Sequence, residues 1–457
     1  MAKKDGQDIA GMPKGVIEIG ASFKEFEQAT DNAAMLPALQ EQLRSKWKQR
    51  IEIVDLLISR VFPRGDRGYA IQYILKTRIH DGNIENLALY GRLFGPEESW
   101  PPRVVDGDRT MFFEKMRLLV PVFPYDPGLK SIPELLDKQK AKVILRNSLG
   151  ESLGKIESLN IKSISILGYR LERRCILKYE LEIGRAGQTE ITSLVAKIVR
   201  PGKAGEIASL MKALAGSGFD GSIDRIGVPR IYHFDNSDGY IIMEYIRGES
   251  LHDLVGRKSF SGACAHAGRL LRKLHAMSLP RMKVYSAGME IENLRGKFLP
   301  AVSPFEDWSV ELSKAFALLE SQLGFAETGH DSTPIHRDFF DKQMITDGDR
   351  IVMLDCDSVA LGDPAQDFAN LLAHLRLREM QSSDGISLEG GMKAFAEGYN
   401  GLNTEFLRRT EWWLGASLIR LSVLYALRNK WRHIAPCLLD EAVTALRGNC
   451  DILRRIR

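Results

Sequence analysis

Two short acidic segments in the C-terminal half carry side chains that could move a phosphoryl group. One reads IHRDFFDKQMI over residues 335–345, and the other reads IVMLDCDS over residues 351–358. The turn 347–349 between them reads Asp-Gly-Asp and predicts a β-hairpin that joins 344–345 to 351–354. Asp338 precedes the first strand and Asp355 ends the second, so the hairpin can place both carboxylates at the same end.

Carboxylates and an amide in this arrangement suit transfer of a phosphoryl group to a hydroxyl. One carboxylate accepts or orients the proton of the attacking hydroxyl, while a second carboxylate and an amide oxygen hold Mg²⁺ on the nucleotide phosphates. Asp338 is therefore the candidate base, and Gln343 and Asp355 are the candidate metal ligands. His336 is assigned to the catalytic loop as a brace, and Asp357 is either a second metal contact or a structural cap.

The same residues resemble the catalytic and metal-binding loops of protein-kinase-like folds. The continuation GDPAQDFANL over residues 362–371 resembles the Gly-Asp-Pro-x-x-Asp-Leu-Ala segment of aminoglycoside phosphotransferases and choline kinases. The resemblance extends over roughly residues 155–457 and implies ATP- and Mg²⁺-dependent phosphorylation of a hydroxyl on an aminoglycoside-, sugar- or choline-like small molecule. It also implies that Asp367 is a buried brace for the catalytic loop.

Further segments resemble the nucleotide-binding parts of the same family. Residues 195–198 read VAKI and resemble the strand that carries the phosphate-binding lysine, here Lys197. Glu206 is the one acid in the helix that follows and is the candidate ion-pair partner of Lys197. The hinge that would meet the adenine edge is predicted at four consecutive residues, Met243, Glu244, Tyr245 and Ile246.

Two features depart from the pattern of protein kinases. Gln343 stands where the kinase loop has asparagine, which keeps an amide oxygen but lengthens the side chain by one methylene. The segment 168–174, GYRLERR, has a single glycine instead of a glycine-rich phosphate loop. Only a short sequence separates Asp357 from Gly362, which leaves no clear activation segment. A protein kinase therefore ranks third, after a small-molecule kinase and after a degenerate kinase fold that binds a nucleotide or a partner without transferring phosphate.

Other polar and aromatic groups have simpler structural interpretations. Asp341 and Lys342 are expected on the loop surface. Arg173 and Arg174 are expected on a solvated sheet face, with contact to phosphate as the alternative. His275 lies on an amphipathic helix and is expected to be a hydrogen-bonded packing histidine. The aromatic residues at helical spacing near the C-terminus are expected in the core, with part of an acceptor pocket as the alternative; they are Trp412, Trp413, Tyr425 and Trp431.

The elements around these motifs predict an α+β, bilobal protein-kinase-like fold with an N-terminal α/β extension. Four segments are expected: a flexible tail (1–30), an extension of helix, hairpin and helix (31–150), a small antiparallel-sheet lobe (151–246) and a helical lobe with the catalytic loops (247–457). In the extension, the pattern predicts a helix over 33–62, strands at 69–75 and 87–94, and a helix near 132–145. In the small lobe, it predicts strands at 161–167, 175–183, 191–199 and 240–244.

Composition narrows the class of protein. The 457 residues carry a net charge of +4 and a sequence pI of about 8.6, short of the basic bias of a dedicated nucleic-acid binder. The five cysteines have no paired spacing, which suits a reducing compartment. No run of eighteen apolar residues is present. We therefore expect a cytoplasmic enzyme whose partner is a small-molecule acceptor, with no nucleic acid and no membrane insertion.

Overall fold

The computed structural model describes residues 23–47, 52–65, 67–78, 84–102, 106–153, 156–279, 282–302, 306–328 and 332–456. Most of the predicted N-terminal tail lies outside these residues. Within them, no helix has the length and apolar character needed to cross a membrane.

The N-terminal part of the described chain forms an antiparallel sheet in the order β1-β2-β3-β5-β4, with two helices before it. These elements are α1 (Phe23–Ala29), α2 (Asn32–Trp47), β1 (Glu52–Pro63), β2 (Tyr69–Arg78), β3 (Ile84–Leu93), β4 (Thr110–Phe113) and β5 (Leu118–Pro121). The predicted hairpin is confirmed, because β2 pairs with β3 over its whole length, from Tyr69 opposite Leu93 to Arg78 opposite Ile84.

The predicted helix over 33–62 is wrong in its second half. The helix ends at Trp47, and Glu52–Pro63 is the edge strand β1. Its buried residues Ile53, Leu56, Ile58 and Val61 do not alternate strictly, because register shifts interrupt the pairing with β2 after Ile53 and after Ile58. Each bulge adds one residue to the strand and breaks the period of two, and the apolar residues Val54 and Leu57, which contributed to the helix prediction, are exposed.

A second antiparallel sheet forms the small lobe, in the order β10-β11-β8-β7-β6. Its strands are β6 (Ser158–Arg170), β7 (Arg174–Arg185), β8 (Gln188–Val199), β10 (Ile231–Asp235) and β11 (Tyr240–Glu244), with α5 (Ala204–Leu214) after β8. The strands predicted here are confirmed. Helices α3 (Ile132–Leu136) and α4 (Lys138–Leu153), which we predicted at the end of the extension, pack their apolar residues on this sheet, where Leu135 and Leu145 join one cluster with Tyr179.

The remainder is a helical lobe with short strands at its upper edge. The helices are α6 (Phe260–His275), α7 (Ala287–Asn293), α8 (Glu306–Ser321), α9 (Leu323–Ala326), α10 (Ala365–Gln381), α11 (Glu389–Tyr399), α12 (Thr404–Ala426), α13 (Ala435–Leu446) and α14 (Asp451–Arg454). The strands are β9 (Ile226–Gly227), β12 (Glu249–Ser250), β13 (Thr333–Ile335), β14 (Met344–Thr346), β15 (Ile351–Met353) and β16 (Ala360–Gly362). Trp412 and Trp413 lie in the core of this lobe, as predicted.

This arrangement confirms the predicted fold class, a small antiparallel-sheet lobe joined to a large helical lobe. The predicted hairpin is also confirmed, because β14 pairs antiparallel with β15, with Met344 opposite Met353. The second strand β15 also pairs in parallel with β9. Both ends of the hairpin are therefore held by neighbouring strands, and the two acidic segments are fixed at the junction of the lobes.

Candidate active site

The loop between β13 and β14 is anchored by one buried carboxylate on α10. Asp367 is fully buried, and its two oxygens accept hydrogen bonds from the backbone N–H groups of His336 (2.5 Å) and Arg337 (2.7 Å). His275 Nε2 lies 3.3 Å from the same carboxylate, and His275 Nδ1 lies 2.9 Å from the hydroxyl of Tyr399. His275 is therefore the hydrogen-bonded packing histidine that the sequence predicted, and it also supports the loop anchor.

His336 connects the two acidic segments. Its ring is fully buried, and its Nε2–H donates to the carbonyl of Leu354 at 2.8 Å, directly before Asp355. The backbone N–H of Asp338 lies 3.3 Å from His336 Nδ1 and donates to it. The imidazole therefore fixes the distance between the loop that carries Asp338 and the strand end that carries Asp355.

Asp338 and Asp355 differ sharply in exposure. Asp338 is exposed, whereas the side chain of Asp355 is 16% exposed and is held by three partners. Two residues of the site have left-handed backbone, Arg337 with φ of 69° and Asp355 with φ of 56°. Non-glycine residues adopt this conformation at a cost, and such strain clusters at functional sites.

Asp355 is the centre of an ion-pair cluster between the lobes. Lys197 Nζ on β8 donates to Asp355 Oδ1 at 2.9 Å and to Asp357 Oδ1 at 2.5 Å. Arg174, at the start of β7, pairs with Asp355 Oδ2 through its Nη1, and Gln343 Nε2 donates to the same oxygen at 3.5 Å. The structure thus brings together Lys197 and Gln343 with the two predicted metal-binding aspartates, Asp355 and Asp357.

The cations of this cluster keep its carboxylate ionised. Burial alone would raise the pKa of Asp355, but Lys197 and Arg174 outweigh it and hold that pKa well below its usual value. Burial likewise works to lower the pKa of Lys197, and Asp355 and Asp357 outweigh it and raise that pKa. The site therefore holds opposite charges in a partly desolvated junction, where electrostatic interactions are stronger than in water.

The predicted ion pair between Lys197 and Glu206 is wrong. Glu206 lies in the first turn of α5 and pairs with Lys203 at 3.1 Å and with Lys283 at 3.0 Å. Its side chain is half-exposed, while the charge of Lys197 is neutralised by Asp355 and Asp357. Since α5 begins only five residues after β8 ends, its first turn lies at the rim and does not reach over the buried end of Lys197.

The donor set of the cluster suits a hard cation. Among the described residues, no group of three or more His, Cys, Asp or Glu side chains is arranged as a metal cage. Mg²⁺ in nucleotide sites is held by only one or two carboxylates together with substrate phosphates. Asp355 and Gln343, which are in contact, and Asp357, which shares Lys197, supply oxygen ligands of that kind. These residues therefore fit Mg²⁺, provided that Arg174 releases Asp355 Oδ2.

The predicted hinge follows the end of strand β11. Met243 and Glu244 pair with Val195 and Leu194 of β8, next to Lys197. The carboxylate of Glu244 accepts two bonds from Arg350, at 2.8 and 3.2 Å. This side chain is therefore engaged in an ion pair between the lobes, and the backbone of 245–246 lies beyond the paired strand.

The structure places Asp341 and Arg174 away from the exposed positions that were expected for them. Asp341 is fully buried and accepts from Arg378 Nε at 2.7 Å and from His252 Nδ1 at 2.8 Å, whereas Lys342 is exposed as predicted. Arg174 pairs with Asp355 and does not lie on a solvated sheet face. Because Arg378 is 37 residues from Asp341 and Asp355 is 181 residues from Arg174, no local pattern could reveal either pair.

Substitution of Asp367 by Asn is expected to destabilise the fold by about 2–4 kcal/mol, because an amide cannot accept at both oxygen positions and leaves a buried N–H without a partner. Urea unfolding of the full chain measures this change. Asp440→Asn makes the same substitution at an exposed helical position and is expected to change stability by less than about 0.5 kcal/mol. Equal stabilities for the two variants would refute the role of Asp367 as an anchor.

His374 on α10 predicts an acid-dependent loss of stability. Its ring stacks on Phe340 at 4.4 Å, and burial, followed by the nearby arginines, lowers its pKa to about 3. The unfolded chain takes up this proton near pH 6.5 and the folded chain does not, so the contribution is complete above about pH 6.5 and is lost toward pH 3. Urea unfolding between pH 4.5 and 7.5 should give a shallower pH dependence for His374→Phe than for the wild type. The exposed control His433→Phe should keep the wild-type slope.

A family model and several solved structures are similar to parts of this chain. A family model described as APH, phosphotransferase enzyme family, matches residues 178–399. Among solved structures, the chain is similar to a choline/ethanolamine kinase family protein from Mesorhizobium loti (16% identity, TM-score 0.45), with 69% of this chain and 97% of that chain covered. It is also similar to a choline kinase from Cryptosporidium parvum Iowa II (12% identity, TM-score 0.48; 68% and 96% covered). No curated protein sequence matches the chain.

The matched residues include most of the second sheet with Lys197, the loop with Asp338 and both acidic segments. They also include Asp367 and end with α11. Residues 178–399, just under half of the chain, therefore match the phosphotransferase enzyme family, and the resemblance to that family noted in the sequence is confirmed over this segment. The prediction of a small-molecule phosphotransferase that acts on a hydroxyl group agrees with this match.

Proposed function

We propose that this protein transfers the γ-phosphoryl group of ATP, with Mg²⁺, to a hydroxyl of a small molecule, with Asp338 as the base. The observation that carries the proposal is the contact of Lys197, Gln343 and Asp355 at the junction of the lobes, with Asp338 linked to the same site through His336. The proposal is supported by the meeting of residues from β8, from the loop between β13 and β14 and from the end of the β14–β15 hairpin at the junction of the lobes, which is the combination of groups that phosphoryl transfer requires.

The residues have separate tasks in this reaction. Asp338 accepts the hydroxyl proton as the new O–P bond forms and the bond from the γ-phosphorus to the bridging oxygen of ADP breaks. Lys197 binds the α- and β-phosphates, and the backbone of 243–246 holds adenine. Asp355 and Gln343 would hold Mg²⁺, with Asp357 beside them, and that ion would neutralise the charge on the β- and γ-phosphate oxygens. His336 and Asp367 keep the loop in position.

Nucleotide binding requires Arg174 to change its position in the ion-pair cluster around Asp355. Arg174 occupies the oxygen of Asp355 that faces Gln343. When phosphates enter, they offer Arg174 and Lys197 alternative anionic partners, and this frees the carboxylate for a cation. Arg174 is therefore proposed to move from Asp355 to the nucleotide during the catalytic cycle.

Acceptor-dependent release of ADP tests the proposed activity. The full chain is incubated with Mg-ATP and a panel of hydroxyl compounds, and ADP and the phosphorylated product are both measured. We expect at least one compound to raise ADP release above the rate with water, with one product phosphate for each ADP. A protein that binds Mg-ATP stoichiometrically but turns over no member of a broad panel would instead be the nucleotide-binding module of the alternative hypothesis.

A further inference from the structure

A cavity of about 820 Å³ lies between the N-terminal sheet and the two kinase lobes. Eight lysine or arginine side chains line it, against two carboxylates, Glu206 and Asp357. Its walls come from the turn between β1 and β2, from α5 and from the segment after Asp355. None of the predicted hinge residues 243–246 lines it, so it lies apart from the predicted adenine site. We call this cavity the cationic cleft.

Both carboxylates of the cationic cleft already have cationic partners. Glu206 pairs with Lys203 and Lys283, and Asp357 accepts from Lys197, which lies outside the cleft lining. The remaining lining cations must therefore be neutralised by other groups. Arg64 is neutralised by Glu172 at 2.7 Å.

Five lining cations have no carboxylate partner among the described residues. They are Arg67 from the turn of the N-terminal sheet, Arg173 from the turn between β6 and β7, Arg200 directly after β8, and Lys297 and Arg337 from the helical lobe. Arg200 Nε donates to the backbone carbonyl of Glu172 at 2.6 Å. Arg337 contacts the ring of Tyr285, with 3.6 Å from its guanidinium carbon to the ring centroid, and its buried Nε has no hydrogen-bond partner.

These cations are close enough to repel one another. Lys297 and Arg173 are exposed residues, so their desolvation is partial. This partial desolvation and then the charges of Arg173 and Arg337 lower the pKa of Lys297, and Arg67 contributes in the same direction. Partial desolvation and then the charge of Arg64 lower the pKa of Arg173. An anion bound between them would relieve this repulsion, and guanidinium groups match phosphate and carboxylate oxygens in geometry.

We infer that the cationic cleft binds the phosphate or carboxylate group of the phosphate acceptor, which is therefore an acidic hydroxyl compound. This inference rests on the proposed function. The cleft is next to the proposed transfer site, because Arg337 directly precedes Asp338 and Asp357 bonds to Lys197. Choline-like and aminoglycoside acceptors are cations, which the five lining cations without a carboxylate partner would repel. The N-terminal sheet gains a role here, since it supplies Arg67 to the acceptor site.

Calorimetric titration with inorganic phosphate and with citrate tests the cleft without any turnover. The full chain is titrated with and without saturating Mg-AMP-PNP, as wild type, as Lys297→Glu and as Lys258→Glu. Lys258 is exposed and outside the cleft lining, so the two variants change net charge equally. We expect saturable binding that persists with nucleotide, that is at least about tenfold weaker in Lys297→Glu and that is unchanged in Lys258→Glu. Equal affinities in all three proteins, or no saturable binding, would overturn the inference.

Pairs of acidic and uncharged or cationic acceptors then test whether the anionic group bound in the cleft belongs to the phosphate acceptor. ADP release is compared for glycerol, glycerol 3-phosphate and glycerate, for glucose and glucose 6-phosphate, and for choline and an aminoglycoside. We expect kcat/KM to be at least about tenfold higher for the acidic members, and this preference to disappear in Lys297→Glu. A comparison of glycerol 3-phosphate with glycerate distinguishes a phosphate group from a carboxylate group as the anion that the cleft binds. A preference for neutral or cationic acceptors would exclude the assignment, and so would an anion that binds but never supports ADP release. Anion binding without any binding of Mg-AMP-PNP would contradict the proposed function alone.

Discussion

Asp338→Asn is expected to lower turnover by about 10²–10⁴-fold while leaving ATP affinity nearly unchanged. The amide has the shape of the carboxylate but cannot take the hydroxyl proton. Asp338 is exposed and its backbone N–H donates to His336 Nδ1, so replacing its side chain removes no contact to Lys197 or Asp355. Steady-state ADP release and calorimetry with Mg-ATP give the two quantities.

The matched control for this variant is Asp349→Asn, at an exposed position in the turn of the same hairpin. It makes the same chemical change about ten residues away along the chain and is expected to keep full turnover. Wild-type turnover in Asp338→Asn would show that another group accepts the proton. A loss of ATP binding together with turnover would show that Asp338 supports the nucleotide site and is not the base.

Asp355→Asn is expected to lower turnover by about 10²–10³-fold and to remove the Mg²⁺ dependence of ATP binding. Among the described residues, this carboxylate is the group that contacts Lys197, Arg174 and Gln343 together. Its loss removes the proposed metal ligand and leaves the buried Lys197 and the partly buried Arg174 with less compensation. ATP affinity with and without Mg²⁺ is measured by calorimetry, beside the rate of ADP release.

Asp357→Asn is the comparison for this second variant. Asp357 accepts from Lys197 but is not in contact with Arg174 or Gln343. We therefore expect a smaller loss of turnover than for Asp355→Asn and a preserved response to Mg²⁺. If Asp355→Asn binds ATP in a Mg²⁺-dependent way while Asp357→Asn does not, the assignment of the principal metal ligand must be exchanged between the two aspartates.

Much of the fold could be predicted because its local patterns are strong. The hairpin β14–β15 was readable from its Asp-Gly-Asp turn and its short apolar strands, and the second sheet from alternating apolar residues. The strand β1 could not be predicted from its own residues. Two bulges break the alternation of its buried side chains, exposed Val54 and Leu57 add apolar residues between them, and the pairing with β2 decides its structure.

In the candidate site, residues that are close in sequence could be predicted together, whereas contacts between residues far apart in sequence could not. Residues that share a motif, such as His336, Asp338 and Gln343, were identified together because they lie on one loop. The partner of Lys197 was misidentified, since Glu206 is close in sequence whereas Asp355 is 158 residues away. The ion pair of Arg174 with Asp355 and the cationic cleft arise in the same way, from chain segments that meet only in the folded protein.

Thermal unfolding of the wild-type chain with Mg-ATP, with ATP and EDTA, and with Mg²⁺ alone tests the central claim most directly. A ligand at one hundred times its dissociation constant stabilises the folded state by about 2.7 kcal/mol, which is a visible rise in Tm. We expect a saturable rise in Tm that requires ATP and Mg²⁺ together. No rise at millimolar Mg-ATP, or an equal rise when EDTA removes the metal, would contradict a Mg²⁺-dependent nucleotide site at Asp355.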